Sequence, residues 1–330
     1  MTRPARPLFD DLRLPLLCAP MSFASSLSLT LACCASGVIG GWQGGLIRTI
    51  EEFDHYLTTL AEAERAAREQ GRPFAPHAVN LPSAVMADPD LGAQKVDLCE
   101  KARIPLVFSS VGDPSALVRR AHGWGGLVIH DVTTVRHAEK AIEAGVDGLM
   151  VTCAGAGGHA GALTPFAFVP KVRSMFDGII LAGGGIANGA GIAGALALGA
   201  DLAVMGTRFI ATQESAVAPG HKRLITEVGM EDIVVSDVMN GIDANWIRQS
   251  IERVGWDPDN MPPKRGPRRG AAMPEGVRAW RDIWSAGHSA GLITDVPPAA
   301  DVIERLAVEF AAAAAPIDWR ARLGSRLAHG

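Results

Sequence analysis

The 330-residue sequence predicts an α/β fold, a (β/α)8 TIM barrel with a helical lid near its C-terminus. Short apolar runs alternate with helix-compatible segments eight times, which is the pattern of a parallel barrel and its crossover helices. The last two apolar runs both end in glycine turns, and the alternation stops near residue 222. These observations place a barrel first in the chain and a different architecture after it.

Each barrel strand is predicted from an apolar run that ends at a turn residue or a polar side chain. The predicted strands are residues 14–19, 38–40, 75–81, 105–108, 126–129, 148–152, 179–182 and 202–205. The predicted helices include residues 28–36, 93–101, 117–122, 133–144 and 190–198. A longer helix is opened by the capping box Thr49-Ile-Glu-Glu52 and ended by Gly71.

We expect three regions in the chain. Residues 1–222 form the barrel, residues 223–294 form the lid and contact substrate, and residues 295–330 form a C-terminal helix that packs back on the barrel. In the lid, short helical stretches are expected at 231–239 and 244–254, followed by a solvated, proline-rich basic loop at 257–274. The closing helix, 301–313, has apolar side chains on one face: Ile303, Leu306, Ala307 and Phe310.

The composition excludes several classes of function. A net charge of −4 gives no reason to expect a nucleic-acid partner. No apolar run reaches the roughly 20 residues of a membrane-spanning helix, and residues 1–11 lack the apolar region of a signal peptide. No C-x-x-C pair occurs, so the cysteines are expected to be reduced structural thiols: Cys18, Cys33, Cys34, Cys99 and Cys153. We therefore expect a cytoplasmic protein, and a homodimer stays open.

The two glycine turns predict an anion site. Glycines directly after a strand let backbone N–H groups approach an anion, and the helix that follows adds a favourable dipole. Such turns at the last two strands form the common phosphate site of this fold. The alternative is a pair of tight turns in which glycine serves the geometry alone, although three adjacent glycines exceed what one turn needs. The turn residues are Gly183, Gly184 and Gly185 after the seventh strand and Met205, Gly206 and Thr207 after the eighth.

Active-site side chains of this fold come from the carboxyl ends of the strands. Here they include no acidic pair for glycoside hydrolysis, no zinc-ligand cluster, no G-x-S-x-G elbow and no lysine placed for a Schiff base. Neutral polar groups and two histidines remain, which suits a phosphate-bearing cofactor that brings its own reactivity. The remaining candidates are Pro20, Met21, Asn80 and His130 at strand ends, and Ala156, Gly157, Gly158 and His159 in the loop after strand six.

Of the two histidines, His159 is the stronger candidate for a catalytic residue. It lies in Gly155-Ala-Gly-Gly-His-Ala-Gly161, where small neighbours let a planar ligand approach the backbone. A neutral imidazole there can accept a proton from a substrate carbon. His130 is expected to touch the cofactor ring, and Asn80 to hydrogen-bond a heterocycle or phosphate. Plainer alternatives are an incidental loop histidine, a histidine bonded to a backbone carbonyl, a loop-capping asparagine and, for Met21, simple space filling.

Six segments together resemble the nitronate monooxygenase family, formerly called 2-nitropropane dioxygenases. They are Ala19-Pro-Met21, Val79-Asn-Leu81, Asp131-Val-Thr-Thr-Val-Arg136, Gly155-Ala-Gly-Gly-His159, Ala182-Gly-Gly-Gly-Ile186 and Met205-Gly-Thr-Arg-Phe209. The resemblance implies an FMN-binding barrel that oxidises alkyl nitronates with O2 to a carbonyl compound and nitrite. It also implies His159 as the catalytic base. The FMN phosphate would lie on Gly184, Gly185, Gly206 and Thr207, and the rest of the cofactor against Met21, Asn80, His130 and residues 156–158.

Two other interpretations stay open. FMN-dependent NAD(P)H reductases of a quinone or an enoyl thioester, such as enoyl-acyl-carrier-protein reductases, have a similar Gly-Gly-His loop. A flavin-free lyase or isomerase could use the same phosphate site. Flavin absorbance distinguishes the last from the others, and consumption of NAD(P)H distinguishes a reductase from a monooxygenase. We favour the monooxygenase.

Overall fold

The computed structural model describes residues 8–86, 88–320 and 323. Its strands are β1 (Leu16–Cys18), β2 (Ile39–Trp42), β3 (His77–Asn80), β4 (Leu106–Ser109), β5 (Leu127–Val132), β6 (Gly148–Thr152), β7 (Gly158–His159), β8 (Ile179–Gly183), β9 (Leu202–Met205), β10 (Ile233–Ser236) and β11 (Ala244–Ile247). Its helices are α1 (Leu27–Ala35), α2 (Ile50–Glu69), α3 (Ser83–Met86), α4 (Leu91–Lys101), α5 (Ser115–Trp124), α6 (Val135–Glu143), α7 (Pro165–Arg173), α8 (Gly189–Ala197), α9 (Thr207–Ile210), α10 (Pro219–Ile225), α11 (Arg248–Glu252) and α12 (Ala299–Ala313).

Eight of these strands close into a barrel in the order β1-β2-β3-β4-β5-β6-β8-β9. Neighbouring strands are parallel, and β9 returns to β1 with Val204 opposite Leu17. Each predicted barrel strand overlaps an observed one. The predicted (β/α)8 barrel is therefore confirmed.

Side chains of the barrel strands alternate between two cores. Leu17 belongs to the cluster inside the barrel, together with Ile129 and Val204. Its neighbours Leu16 and Cys18 pack against the helices outside. Because successive side chains of a strand point to opposite faces, a shift of one residue moves a side chain from the barrel interior to the helix layer. This alternation decides which strand-end residues can reach the barrel mouth.

Local signals set the ends of the helices. The Thr49 hydroxyl accepts the N–H of Glu52 at 3.2 Å, as the capping sequence predicts for α2. Helix α7 was not predicted from the sequence. Pro165 occupies its first turn, where proline is tolerated, but Pro170 lies inside the helix, where the residue type argues against helix.

The lid contains a small sheet as well as helices. Strand β11 pairs antiparallel with β10 and with β7, so that Ala244 lies opposite His159. The helical stretches expected at 231–239 and 244–254 were therefore wrong over β10 and β11, although α11 follows directly within the second. Strand β10 has the sequence Ile-Val-Val-Ser, and its β-branched side chains favour the strand conformation.

Helix α12 packs against the barrel helices. The N–H of Gly189, at the start of α8, donates to the carboxylate of Glu309 at 2.8 Å. A Cβ at Gly189 would lie 2.1 Å from the backbone nitrogen of Phe310, so this approach requires glycine. The buried face of α12 is formed by Ala299, Val302, Ile303 and Leu306. The C-terminal region expected from the sequence runs to residue 330, of which residues 321, 322 and 324–330 lie outside the described residues.

Candidate active site

A cavity of about 480 Å³ opens at the carboxyl ends of the barrel strands, under the lid. Its volume lies within the roughly 300–1,000 Å³ of small-molecule and cofactor sites. Twelve of the fourteen candidate residues line it: Pro20, Met21, Asn80, Ala156, Gly157, Gly158, His159, Gly183, Gly184, Gly185, Gly206 and Thr207. The cavity therefore brings the glycine turns, the loop histidine and the asparagine to one place.

Two candidates, His130 and Met205, do not line the cavity. Strand five was predicted to end at residue 129, whereas β5 continues through His130 to Val132. His130 is 6% exposed and shares its face with Val128 and Val132, which pack in the helix layer. Burial lowers its pKa to about 4. The expected contact between His130 and a cofactor ring therefore has no support in the lining of the cavity.

The same alternation excludes the Met205 side chain from the cavity. Val204, its neighbour on β9, points inward and lines the cavity. Met205 is fully buried in the outer core, and its carbonyl accepts the N–H of Ala19 at 2.9 Å. Its contribution is to hold the ends of β1 and β9 together.

His159 is presented to the cavity by strand β7. Its predecessor Gly158 has φ +77°, and the Gly158 N–H donates to the hydroxyl of Ser285 at 2.9 Å. The imidazole meets Trp280 edge-on, with 5.8 Å between ring centroids. Within the described part of the chain, no hydrogen bond involves its ring nitrogens. The ring borders open space, but desolvation by the surrounding protein still lowers its pKa below the usual 6.5. At neutral pH it is a neutral base.

The turns after β8 and β9 form one wall of the cavity. Gly185 has φ +71°, and a Cβ built on it would meet nothing within 4 Å, so the turn faces open space. The Gly185 N–H donates to the carbonyl of Gly155 at 3.2 Å and is therefore already engaged. The Thr207 hydroxyl accepts the N–H of Gly287 at 2.9 Å, which leaves its own hydrogen free to donate to an anion.

Asn80 belongs to a chain of amides across the cavity floor. Its Nδ2 donates to Oε1 of Gln43 at 3.1 Å, and Nε2 of Gln43 donates to the carbonyl of Pro20 at 3.0 Å. These bonds fix both amide orientations, and they leave Oδ1 of Asn80 buried without a partner. An unpartnered buried acceptor at a cavity wall is suited to a ligand N–H or O–H. Gln43 was missed in the sequence because it lies three residues beyond Gly40, where strand two was predicted to end.

Asp131 is an acidic residue that the sequence analysis also missed as a site residue. It is the inward-facing residue at the end of β5, and it lines the cavity. The hydroxyl of Thr152 donates to its carboxylate at 2.5 Å. Burial raises the pKa of Asp131 to about 6, against the lowering effect of that hydrogen bond. Extending strand five by two residues with a period of two would have found it.

Helix α10, which spans the boundary between the barrel and lid regions, contributes a second histidine, His221. Its Nε2 donates to the carbonyl of Ser285 at 3.1 Å, and its ring stacks on Trp284 with 5.1 Å between centroids. Its Nδ1 is therefore an acceptor, and it is buried without a partner. Burial lowers its pKa to about 4, so the ring is neutral. No motif marked His221, because its place depends on how the lid folds over the barrel.

The lining defines the kind of ligand that fits. It includes no lysine or arginine among the described residues, and no described group of His, Cys, Asp and Glu could hold a metal ion. Nor is any helix of the described ranges long and apolar enough to span a bilayer. The side chains can move protons but cannot accept two electrons. The glycine turns, Thr207, the unpartnered oxygen of Asn80 and the apolar surfaces of Met21 and Met150 fit a flavin, whose phosphate neutral donors would hold.

Comparisons with known proteins agree with this chemistry. A family model described as nitronate monooxygenase matches residues 49–309. The chain is 28% identical to a nitronate monooxygenase of Paraburkholderia phytofirmans, covering 90% of this chain and 92% of that enzyme. It also resembles the solved structure of a nitroalkane oxidase from Streptomyces ansochromogenes, with a TM-score of 0.74, 25% identity and coverage of 93% of this chain and 99% of that one.

A further relative is an enzyme of different reaction type. The chain is 30% identical over 158 residues to the (3aS,4S,5R,7aS)-5-hydroxy-7a-methyl-1-oxo-octahydro-1H-indene-4-carboxyl-CoA dehydrogenase of Rhodococcus jostii. The match covers 48% of this chain and spans only 45% of that enzyme's length.

Proposed function

Because the chain belongs to the nitronate monooxygenase family, and is therefore a flavin-dependent oxidoreductase, we propose that it binds FMN and oxidises alkyl nitronates and nitroalkanes with O2. The products would be a carbonyl compound and nitrite. The observation that supports this most is the shared cavity of His159, the two glycine turns and Asn80. The anion-binding turns and the unpartnered amide oxygen are suited to a flavin, and the base is suited to a weak carbon acid.

The FMN phosphate would be held at the two glycine turns, by Gly184 and Gly185 after β8 and by Gly206 and Thr207 after β9. A Cβ added at Gly206 would lie 3.3 Å from Sδ of Met21, so a side chain there would crowd the space that glycine leaves open. The Thr207 hydroxyl would donate to a phosphate oxygen, since its acceptor side is used by Gly287. Oδ1 of Asn80 and the apolar face of Met21 would contact the remainder of the cofactor.

His159 would act as the base toward a neutral nitroalkane. The bond between the α-carbon and its hydrogen breaks, its electron pair enters the nitronate, and the proton moves to a ring nitrogen of His159. A nitronate supplied directly would not need this step. Bound FMN would supply the two-electron chemistry between nitronate and O2. Desolvation lowers the pKa of His159, which keeps the imidazole neutral and able to accept a proton at physiological pH.

A reductase remains the second candidate. The Rhodococcus jostii match is to a CoA-thioester dehydrogenase, and it covers about half of this chain. An FMN-dependent NAD(P)H reductase of a quinone or enoyl thioester would use the same flavin seat. The two functions differ in their reductant, which is the nitronate in one case and NAD(P)H in the other.

The first experiment examines the purified protein. We expect a flavin absorbance band near about 450 nm and release of FMN on denaturation. Addition of an alkyl nitronate in air should consume O2 and release nitrite. Protein without any flavin would exclude both flavin functions, and flavin-loaded protein that releases no nitrite would leave the reductase. The cytoplasmic location and the homodimer stay predictions from the sequence.

A further inference from the structure

Asp131 is a half-buried carboxyl group that lines the cavity and has no counter-ion among the described residues. Among the described residues, no lysine, arginine or histidine forms an ion pair with it, and its recorded partner is the hydroxyl of Thr152. In the sheet it lies opposite Met150 of β6. Phe108 and Ser109 of the adjacent strand β4 also line the cavity. Neither neighbouring strand therefore offers it a titratable side chain.

A carboxyl group that is partly removed from water and has no ion-pair partner lowers the stability of the folded protein when it is ionised. An ionised carboxylate loses hydration that one hydroxyl does not replace, so the pKa of such a group rises. A group of this kind that is nevertheless present often has a functional role. An asparagine would accept the Thr152 hydrogen bond without that cost. Perturbed acids that border a cavity are characteristic of functional sites. Among the described residues, the other titratable groups that line this cavity are His159 and His221, and both are neutral at pH 7.

We propose that Asp131 is the residue that sets the reduction potential of the bound flavin, because its carboxylate opposes the negative charge that the flavin gains on reduction. This inference rests on the proposed function, since it takes the cavity to be the flavin site. Two-electron reduction with uptake of one proton adds one negative charge to the flavin. His159 and His221 are neutral, and no described lysine or arginine lines the cavity. Among the described residues that charge therefore meets no cation on the cavity wall, and Asp131 is its charged neighbour.

The effect depends on pH in a defined direction. Burial raises the pKa of Asp131 to about 6. Above that pH the carboxylate is charged and disfavours the reduced flavin; below it the acid is neutral and has little effect. Negative charge on the reduced flavin raises the pKa further, so reduction near neutral pH should draw one extra proton onto Asp131.

The test is a spectroelectrochemical titration of the flavin-loaded enzyme and of Asp131→Asn at pH 8 and pH 5. At pH 8 we expect the variant to have the more positive midpoint potential, by a tenfold or larger change in the reduction equilibrium, about 30 mV or more for a two-electron couple. At pH 5 the two potentials should nearly coincide. Asparagine keeps the size of the side chain and an acceptor for Thr152.

Two further variants make the result decisive. Asp97→Asn removes a carboxylate on the outer surface, where it pairs with Arg120, and should leave the flavin potential unchanged. Thr152→Val keeps the carboxyl group but removes the hydrogen bond that favours its charged form, so the pH at which the potential changes slope should rise. If Asp131→Asn does not retain flavin, the pH dependence of the flavin potential in Thr152→Val tests the proposal.

Equal potentials of wild type and Asp131→Asn at pH 8 would overturn the proposal, as would a shift of the same size at pH 5. The proposal would also be overturned if the potential changed slope at the same pH in Thr152→Val as in the wild type. These results differ from a failure of the proposed function, which would appear as protein without flavin absorbance or as flavin that a nitronate does not reduce.

Discussion

Single residues in the cavity gain their chemistry from the strand or loop that presents them. The His159 side chain is exposed, and pairing of β7 with β11 holds it at the cavity beside Trp280. Desolvation there lowers its pKa, so the neutral, proton-accepting form persists below the usual 6.5. A neutral base at physiological pH is what deprotonation of a nitroalkane requires.

Replacement of His159 tests this role. We predict that His159→Ala retains flavin but lowers turnover of a neutral nitroalkane by roughly 10²-fold or more, the usual size of a general-base loss. Turnover of the corresponding preformed nitronate should fall much less, because its proton is already gone. His137→Ala, at an exposed position on α6, is the control and should change neither rate. Equal losses with both substrates would remove proton abstraction from the role of His159.

The pH profile gives a second prediction. With a neutral nitroalkane, kcat/KM should be level near pH 7 and fall as the pH drops through the lowered pKa of His159, because protonated imidazole cannot accept a proton. Trp280→Ala admits water to the ring, so the pKa should rise toward its usual value and the fall should begin at higher pH. A profile identical for nitroalkane and nitronate would instead belong to another group, such as Asp131.

Residue-level prediction from sequence succeeded where position along a strand did not matter. The glycine turns and His159 carry their signal in local composition, and they line the cavity as expected. His130 and Asp131 are adjacent, and the choice between them depends on the face of β5, which the predicted strand end at residue 129 left undefined. His221 and Trp280 depend on long-range folding of the lid, for which the sequence has no short-range signal.

At the scale of elements, the turn after β8 should tolerate a side chain but not a negative charge. Asparagine and aspartate both adopt the positive φ of Gly185, and a Cβ there meets open space. We predict that Gly185→Asp binds FMN at least about 10-fold more weakly than Gly185→Asn, because the carboxylate repels the phosphate. Flavin dissociation constants of the two apoproteins provide the measurement. Equal affinity would place the phosphate elsewhere.

A second element-level feature joins the end of the barrel to the C-terminal helix. Arg208, whose side chain is 6% exposed, contacts the carboxylate of Asp295 at 2.8 Å, and Arg305 contacts the other oxygen at 2.8 Å. Arg208 also donates to the carbonyl of Ala211. The arginine of the Met205-Gly-Thr-Arg-Phe209 segment therefore has a structural role, and it connects α9 to the chain that leads into α12.

We predict that Asp295→Ala destabilises the protein by roughly 2–4 kcal/mol, because it leaves the buried Arg208 cation short of a counter-ion. Burial alone would raise the pKa of Asp295, but the hydrogen bonds from Arg305 and Arg208 outweigh burial and lower it. Its contribution should therefore be present above the unfolded pKa of about 4 and be lost as the pH falls through the lower folded pKa. Urea denaturation measures the change. Glu304→Ala, at an exposed pair with Arg13, is the control, and an equal loss in both variants would contradict the account.

Element prediction from sequence was accurate for the barrel and poor for the lid. The buried parallel strands are apolar runs bounded by turns, and every one was found. In the lid, β10 is only four residues long and β7 only two, so neither is long enough to show a periodic pattern. Pairing with β11 creates both strands, and pairing is a tertiary effect that local propensity does not contain.

At the scale of the whole molecule, the proposed function assigns flavin binding to the barrel and completion of the site to the lid. The glycine turns, Asn80 and Asp131 belong to the barrel, and His221 lies at its boundary with the lid. Trp280 and Ser285 approach from the lid. His159 links the two, since it leaves the barrel at β6 and enters the lid sheet at β7. Substrate choice should therefore respond to lid substitutions while flavin binding responds to barrel substitutions.

The most direct measurement is anaerobic stopped-flow mixing of the flavin-loaded protein, once with an alkyl nitronate and once with NADH or NADPH. Our account predicts that the nitronate alone bleaches the flavin absorbance and that readmitted O2 restores it. Bleaching by the nicotinamide alone, with no response to the nitronate, would contradict the account and make the protein a reductase of a quinone or thioester.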